Sequence, residues 1–187
     1  MELETTPLAG LWIVKPRVFA DARGFFFESY NSAIFARHGV DHPWVQDNHA
    51  RSVRGTVRGL HFQRGAGQAK LVRCVRGRIW DVAVDIRPDS PTYRKWHGLE
   101  LTEDNKLMLL ILTGFAHGYA VLSEEAECLY KCSSVYDPKL EFGFQWNDHE
   151  IGVQWPVSEP ILSKRDIEAI GFAKCMKIVT ADADQKL

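Results

Sequence analysis

Apolar and polar residues alternate with a period of two through the middle of the chain, and this pattern constrains the fold more than any other feature. At positions 80–86, four apolar residues fall on one face of a predicted strand, whereas Asp81, Ala83 and Asp85 fall on the other. Turn signals rich in Gly, Pro, Asp or Asn recur at short intervals, including an Arg-Gly pair at positions 76–77 between two predicted strands. Short strands separated by such turns are typical of all-β folds, so we predict a jelly-roll β-sandwich or barrel.

Helix is predicted to be minor and peripheral. Residues 31–37 favour a short helix that ends at Gly39, and the spacing of Ser163 and Asp166 fits a capping box at the start of another. The sequence contains no linker, internal repeat or low-complexity run. We therefore expect one domain over residues 1–187, with a polar C-terminal tail after about Lys177.

Composition and charge exclude several classes of protein. The chain has 187 residues, 45% of them apolar, which is enough for a substantial core, and its net charge of −1 gives no general attraction to nucleic acid or anionic membranes. Apolar runs are far too short to span a membrane. The N-terminal residues lack the basic and then apolar layout of a secretory signal, so we expect a cytoplasmic protein.

The four cysteines form no Cys-x-x-Cys pair. The segment from Cys128 to Tyr136 is predicted to be a further strand, on which Cys128 and Cys132 share one face. At about 3.3 Å of rise per residue, they lie too far apart on that strand for a disulfide. We therefore expect free thiols, as in a reducing compartment.

Two histidines and a tyrosine suit proton transfer. His61 lies in the apolar stretch Val57–Gln63, and His117 lies between two small residues that leave room for a ligand. The unperturbed pKa of imidazole is close to neutrality, which suits a general base, and Tyr130 offers a phenol that can return a proton. The structural alternatives are a strand histidine bonded to the backbone and a core tyrosine with a bonded hydroxyl, and the residues alone leave both open.

The groups near His61 favour a ligand site. Arg58 and Lys70 bring cationic groups into a short apolar span. Arg58 and His61 are separated by an odd number of residues, so an ideal strand would point them to opposite faces. A bulge at Gly59 would reconcile them.

Two further ambiguities concern His61. Together with His117 it suggests a metal site, but the residue two positions later is Gln63, a poor ligand, so we expect no metal. Asp166 is explained by helix capping, and equally by a hydrogen bond that raises the basicity of His61. Both roles are compatible.

Two polar and aromatic clusters are candidates for binding a nucleotide. Residues 23–28 join a turn to three consecutive phenylalanines, at least one of which must face away from the core, where it can stack on a flat base beside Arg23 and Glu28. Residues 46–49 add amides and a carboxylate suited to ribose or base edges.

Taken together, these residues resemble those of the dTDP-4-dehydrorhamnose 3,5-epimerases, cofactor-independent enzymes of nucleotide-sugar metabolism. The resemblance runs from about Val14 to Asp166. It rests on motifs at positions 23–28, 46–49, 58–63, 70–73, 81–85, 114–118, 130–131, 146–148 and 161–163.

The resemblance implies a cupin jelly roll, a homodimer, no metal or organic cofactor, and a dTDP-linked 4-keto-6-deoxyhexose as substrate. It implies that His61 is the general base with Asp166 as its partner, that Tyr130 is the general acid, and that Lys70 contacts the sugar or the diphosphate. It also implies substrate contacts, some of them supplied by the dimer partner, at Arg23, Phe26, Glu28, Gln46, Asp47, Asn48, Arg58, His117, Glu141 and Arg165. An enolate oxyanion at C4 also needs a donor, and for that role Lys70 is the leading candidate and His117 the alternative.

Some positions depart from the family pattern. Val135 and Tyr136 replace what is often an aromatic pair, and residues 107–112 lack the polar and aromatic residues expected there. Inversion at C3 alone is therefore the nearest alternative to inversion at C3 and C5. Alternatives from other classes are a metal-dependent cupin enzyme and a non-catalytic module that binds sugar nucleotides.

Overall fold

The structure, a computed structural model, describes residues 1–184. Most of the described chain forms short β-strands, which confirms the predicted all-β class. The elements are, in chain order, β1 (Glu2–Thr5), β2 (Leu11–Lys15), β3 (Phe19–Asp21), β4 (Gly24–Phe26), α1 (Ser32–Arg37), β5 (Gln46–Val53), β6 (Val57–Gln63), β7 (Lys70–Arg76), β8 (Arg78–Asp85), β9 (Trp96–Thr102), β10 (Met108–Ile111), β11 (Phe115–Val121), β12 (Glu125–Cys132), β13 (Glu141–Gly143), α2 (Lys164–Ile167) and α3 (Phe172–Asp184).

Two antiparallel sheets face each other as a sandwich. One has the strand order β1-β2-β10-β7-β12-β5, and the other has the order β13-β6-β11-β8-β9. Apolar side chains from both sheets meet between them, among them Val72 and Leu109 of the first sheet and Ile79 and Val121 of the second. Strands β3 and β4 form a separate hairpin that belongs to neither sheet.

The alternation predicted for β8 is confirmed, and both of its faces are buried. Asp81 and Ala83 face the interior of the sandwich, with Ala83 in the central core. Val82 and Val84 face the other way and pack against α3, which covers the outer face of the five-stranded sheet. The interior side of β8 thus carries a carboxylate that needs a partner.

The predicted short helices are also confirmed. Asn31 caps α1 by accepting hydrogen bonds from the backbone of the first turn, and Gly39 follows with a φ of +77°. Ser163 caps α2 by accepting from the backbone N–H of Asp166. The stretch after Lys177, described above as a tail, continues α3 to Asp184, and residues 185–187 lie outside the described part of the chain.

One predicted strand ends early. Strand β12 ends at Cys132, whereas the sequence predicted extended structure to Tyr136. The two serines that follow are tied to the preceding loop instead, because Ser133 Oγ accepts from the backbone N–H of Ala69 at 2.8 Å and Ser134 Oγ donates to the Gly67 carbonyl at 2.9 Å. These bonds turn the chain away from the sheet and bring Tyr136 to the mouth of a pocket.

The four cysteines, Cys74, Cys128, Cys132 and Cys175, are buried free thiols, as expected. Among residues 1–184, no helix is long and apolar enough to cross a membrane. Residues 107–112, which depart from the family pattern, mostly form β10, whose strand residues are all buried.

Candidate active site

A pocket of about 410 Å³ opens between the two sheets. The six-stranded sheet, the five-stranded sheet and the segment at α2 all contribute side chains to it. Its lining residues are Gln46, Asn48, Ala50, Arg58, His61, Gln68, Lys70, His117, Tyr119, Tyr130, Tyr136, Glu141, Ser163, Arg165 and Asp166. Ten of the fourteen site residues predicted from the sequence therefore line one cavity.

A bulge in β6 lets Arg58 and His61 face the same pocket. His61 pairs with His117 and Arg58 pairs with Tyr119, so two residues of β6 oppose the single Gly118 of β11. Gly59 is required there, because its φ is +121° and a Cβ would lie 2.6 Å from the Gly118 Cα. The predicted bulge is therefore present.

His61 is oriented by a carboxylate from α2. Its Nε2 lies 2.7 Å from Asp166 Oδ1, and Ser163 Oγ donates to the other oxygen of Asp166 at 2.7 Å. Burial raises the pKa of Asp166, but these hydrogen bonds outweigh it and hold the pKa below its ordinary value. An ionised carboxylate only accepts, so Nε2 donates and Nδ1 is left as the basic nitrogen. The Asp166 carboxylate thus contacts both the serine that caps α2 and the histidine.

Backbone contacts fix α2 next to β6. The N–H of Val57 donates to the carbonyl of Ile161 at 3.1 Å, and the N–H of Ile161 donates to the carbonyl of Gly55 at 2.9 Å. On the other side of the imidazole, a Cβ at Gly143 would lie 2.8 Å from His61 Cδ2. Only glycine leaves the ring its space.

Tyr130 and Lys70 face His61 from the opposite sheet. Tyr130 lies on β12 and Lys70 on the neighbouring β7. Burial raises the pKa of Tyr130 to about 12, so the phenol is protonated at neutral pH. Burial lowers the pKa of Lys70 below its ordinary 10.5, and the nearby acidic groups oppose this only in part. The two sheets thus place an imidazole on one wall of the pocket and a protonated phenol on the facing wall.

His117 is held by a second buried carboxylate. Its Nε2 lies 2.7 Å from Asp81 Oδ1, and Asp81 is fully buried. Burial lowers the pKa of His117, although Asp81 acts in the opposite direction. This contact supplies the partner that a carboxylate on the interior face of β8 needs.

Arg58 is the exposed cation at one side of the mouth. Its Nε donates to Ser52 Oγ at 3.0 Å, and no carboxylate within residues 1–184 pairs with it. Arg165, by contrast, forms an ion pair with Glu141, which also accepts from the Tyr136 hydroxyl at 2.6 Å. Burial raises the pKa of Glu141, but the bonds from Tyr136 and Arg165 outweigh it and lower the pKa overall. Arg58 therefore has charge available for an anionic ligand.

The alternation of β5 divides the predicted polar cluster. Gln46 and Asn48 face the pocket, and Gln46 Nε2 donates to Asn48 Oδ1 at 3.0 Å. Asp47 points to the outer face of the sheet, where Lys131 donates to it at 3.0 Å. Within this chain, Asp47 does not line the pocket.

The predicted contacts on the aromatic turn also lie outside the pocket. Arg23 is exposed on the β3–β4 hairpin and bonded to Asp21, and Phe26 is 67% exposed. Glu28 accepts from Asn31 at 3.1 Å. Arg23 and Phe26 are therefore presented to solvent by a hairpin that lies outside both sheets, and Glu28 is exposed in the segment just after it.

Sequence reasoning did not single out several residues at the site. Tyr119 lies two residues after His117 on the same strand, so period two alone would have placed it on the same face. Asp81 had a signal too, since a carboxylate inside an apolar strand requires a partner. Ala50 had the same signal as Tyr119, because it lies two residues after Asn48 on β5. Gln68 and Tyr136 lie in loops, where no strand period applies.

The arrangement suits removal of a proton next to a carbonyl. A histidine held by a carboxylate can take the proton, a buried ammonium can stabilise the resulting oxyanion, and a phenol on the facing wall can return a proton to the other side. No group of three or more His, Cys, Asp or Glu in the described residues is placed to hold a metal ion.

Comparison with known proteins gives one consistent family. The model of the dTDP-4-dehydrorhamnose 3,5-epimerase family matches residues 5–174. An enzyme of that name from Salmonella typhimurium is 50% identical over 167 residues, covering 88% of this chain and 91% of its own length. A dTDP-4-dehydrorhamnose 3-epimerase from Streptomyces niveus is 40% identical, covering 93% of this chain and 85% of its own length.

A solved structure agrees in fold and in family. It is a dTDP-6-deoxy-D-glucose-3,5-epimerase from Legionella pneumophila in complex with dTDP-4-keto-L-rhamnose. It is 40% identical, has a TM-score of 0.88, and covers 91% of this chain and 92% of its own. On the family model and these relatives, the chain belongs to the dTDP-4-dehydrorhamnose 3,5-epimerase family of isomerases.

Proposed function

We propose that this protein epimerises a dTDP-linked 4-keto-6-deoxyhexose at C3 and C5 without a metal or organic cofactor. The observation that carries the proposal is a single pocket with the His61–Asp166 pair on one wall and Tyr130 on the facing wall. The family relatives named as 3,5-epimerases support the same activity.

The chemistry follows from the position of the ketone. C3 and C5 both flank C4, so loss of either proton gives a delocalised enolate. His61 Nδ1 takes the proton, Tyr130 returns one to the opposite face of the ring, and that carbon is inverted. General acid and base groups each contribute about 10²–10⁴-fold, which is too little for so weak a carbon acid. Lys70 is therefore assigned to the C4 oxyanion.

The sugar and the diphosphate occupy different depths of the pocket. The reacting groups lie inside, whereas Arg58 is exposed at the mouth and unpaired by any carboxylate of the described chain. We assign Arg58 to the diphosphate, and His117, Gln46, Asn48, Glu141 and Arg165 to further substrate contacts. In the Arg165 pair, Glu141 fixes the guanidinium at the rim.

Incubation with dTDP-4-keto-6-deoxyglucose in heavy water tests the function. Each inverted carbon loses its proton to solvent, so NMR of the product is expected to reveal two deuterons, one at C3 and one at C5. A single deuteron at C3 would replace the proposal with C3-only epimerisation, the activity named for the Streptomyces niveus relative. Ligand binding without exchange would favour a non-catalytic module, and loss of activity in a chelator would favour a metal enzyme.

A homodimer accounts for the residues that lie outside the pocket. The β3–β4 hairpin exposes Phe19, Phe25 and Phe26 by more than half, and such an apolar patch marks an interaction surface. We propose that the hairpin enters the pocket of a second copy and supplies Arg23, Phe26 and Glu28 to the nucleotide end. Asp47, on the outer face, is assigned to the same partner contact.

The buried free thiols favour a cytoplasmic location.

Arg23→Ala tests this assignment. Loss of a charge-assisted contact is expected to raise KM about tenfold or more while kcat changes little. Mixed dimers identify the donor: a chain with Arg23→Ala paired with a chain with His61→Ala regains one native site if Arg23 acts across the interface. The kcat/KM of the mixture should then exceed the mean of its parents. A mixture that merely averages the parents would place Arg23 in its own chain's site or outside it.

A further inference from the structure

The hydroxyl of Tyr119 is a buried polar group at the pocket without a hydrogen bond. Tyr119 is 5% exposed and lines the pocket. Within residues 1–184, the buried side-chain N and O atoms that lack a hydrogen-bond partner are Trp44 Nε1, Trp80 Nε1, Asp81 Oδ2, His97 Nε2 and Tyr119 Oη. Of these five residues, Tyr119 is the one whose side chain lines the cavity.

The surroundings of the phenol do not satisfy it. Ser52 is near enough to lower its pKa, but the contact falls short of hydrogen-bond geometry. Burial raises the pKa of Tyr119 well above its ordinary value, so the group is protonated and able to donate. A buried hydroxyl without a partner destabilises a fold, and replacing it with hydrogen would be neutral or stabilising for folding alone.

Its position points to the sugar rather than to the charged diphosphate. Tyr119 pairs across the sheet with Arg58, whose guanidinium is at the exposed mouth, and Cys128, Arg58 and Tyr130 all affect the pKa of its phenol. The buried phenol therefore lies between the exposed cation and the inner part of the pocket. A doubly charged diphosphate is expected to bind at the solvent-exposed mouth beside Arg58, because burying a charge without a partner is costly. The neutral hexose is the part of the ligand that fits beside the phenol.

We propose that Tyr119 is a specificity-determining residue whose hydroxyl donates a hydrogen bond to an oxygen of the bound hexose. The inference rests on the proposed function for the identity of the ligand, and it adds a contact that the catalytic assignment does not use. A site built to bond a sugar oxygen discriminates against ligands that lack it, since the buried phenol would then stay unpaired.

Tyr119→Phe removes only the hydroxyl. With dTDP and dTDP-glucose as calorimetric probes, the Kd for dTDP-glucose is expected to rise about tenfold while the Kd for dTDP is unchanged. Because dTDP-glucose has no C4 ketone, it cannot be epimerised, so this binding measurement tests the Tyr119 contact whether or not the protein is an epimerase. In the heavy-water assay kcat/KM should fall by a similar factor, and the unfolding temperature should be unchanged or higher.

Tyr93→Phe is the matched control, because Tyr93 packs against Phe172 on the far side of the five-stranded sheet. It should leave both Kd values as in the wild type. Equal affinities of wild type and Tyr119→Phe for dTDP-glucose would overturn the proposal. So would an equal weakening for dTDP and dTDP-glucose, which would put the phenol at the nucleotide or diphosphate.

Discussion

His61→Ala is expected to lower the rate of solvent deuterium incorporation at both C3 and C5 by about 10³–10⁴-fold, the upper range for loss of a general base. The reason is that the His61 imidazole, held by Asp166 at 2.7 Å, is the proposed base and lies across the pocket from the proposed acid, Tyr130. The measurement is the appearance of deuterium in the sugar by NMR, followed at saturating substrate so that weaker binding does not contribute.

Two further variants are needed to interpret the result for His61→Ala. His49→Ala removes an imidazole from the outer face of the six-stranded sheet, where it pairs with Glu127, and should exchange normally. Tyr130→Phe should still permit exchange while hampering inversion, because it removes the acid and keeps the base. Near-normal exchange in His61→Ala would remove His61 from the role of base, and equal loss of exchange and inversion in Tyr130→Phe would argue against the phenol as acid.

The fold class could be read from the sequence because the strand period is two. The pattern at positions 80–86 identified β8 and the faces of its side chains correctly. It did not tell which face is interior, because Val82 and Ala83 are both fully buried. Helix α3 covers the apolar face, so the more polar face of the strand is the one inside the sandwich. A choice of this kind depends on which element packs over a sheet, and alternation does not contain that information.

The candidate site was predictable to a different extent at each residue. His61 and Asp166 meet across 105 residues of sequence, so their contact requires the fold. The residues alone left helix capping as an equal explanation of Asp166, and the resemblance to a family added the pairing with His61. The bulge at Gly59 was predicted from spacing, since only an extra residue brings Arg58 and His61 to one face. The end of β12 at Cys132 was missed, because the serine bonds that turn the chain involve a loop more than sixty positions away.

The residues outside the pocket show a second limit of what the sequence of one chain can predict. Arg23 and Phe26 were predicted as substrate contacts, yet the hairpin that carries them is exposed in the single chain. A sequence pattern indicates which residue types a site uses, but it does not indicate which subunit of a dimer supplies them. The mixed-dimer experiment addresses that question directly.

Lys70→Met is expected to lower kcat about 10²–10³-fold, the usual loss when one donor to an oxyanion is removed. Methionine keeps the length and much of the volume of the side chain, so the pocket retains its shape while the charge is lost. Lys174→Met, at an exposed position on α3, is the matched control and should leave kcat unchanged.

The pH dependence separates a catalytic ammonium from a structural one. Burial lowers the pKa of Lys70 in the folded protein below 10.5, so wild-type kcat should decline as the pH rises through that lowered value. The Met variant should lack this decline.

The stability of the wild type changes with pH in the opposite sense. Below the folded pKa, burial of the charged ammonium destabilises the folded state, and this destabilisation is relieved as the pH rises toward 10.5. At neutral pH the Met variant should therefore unfold at an equal or higher temperature. A variant with near wild-type kcat, or an alkaline decline that persists without Lys70, would assign the oxyanion to another group.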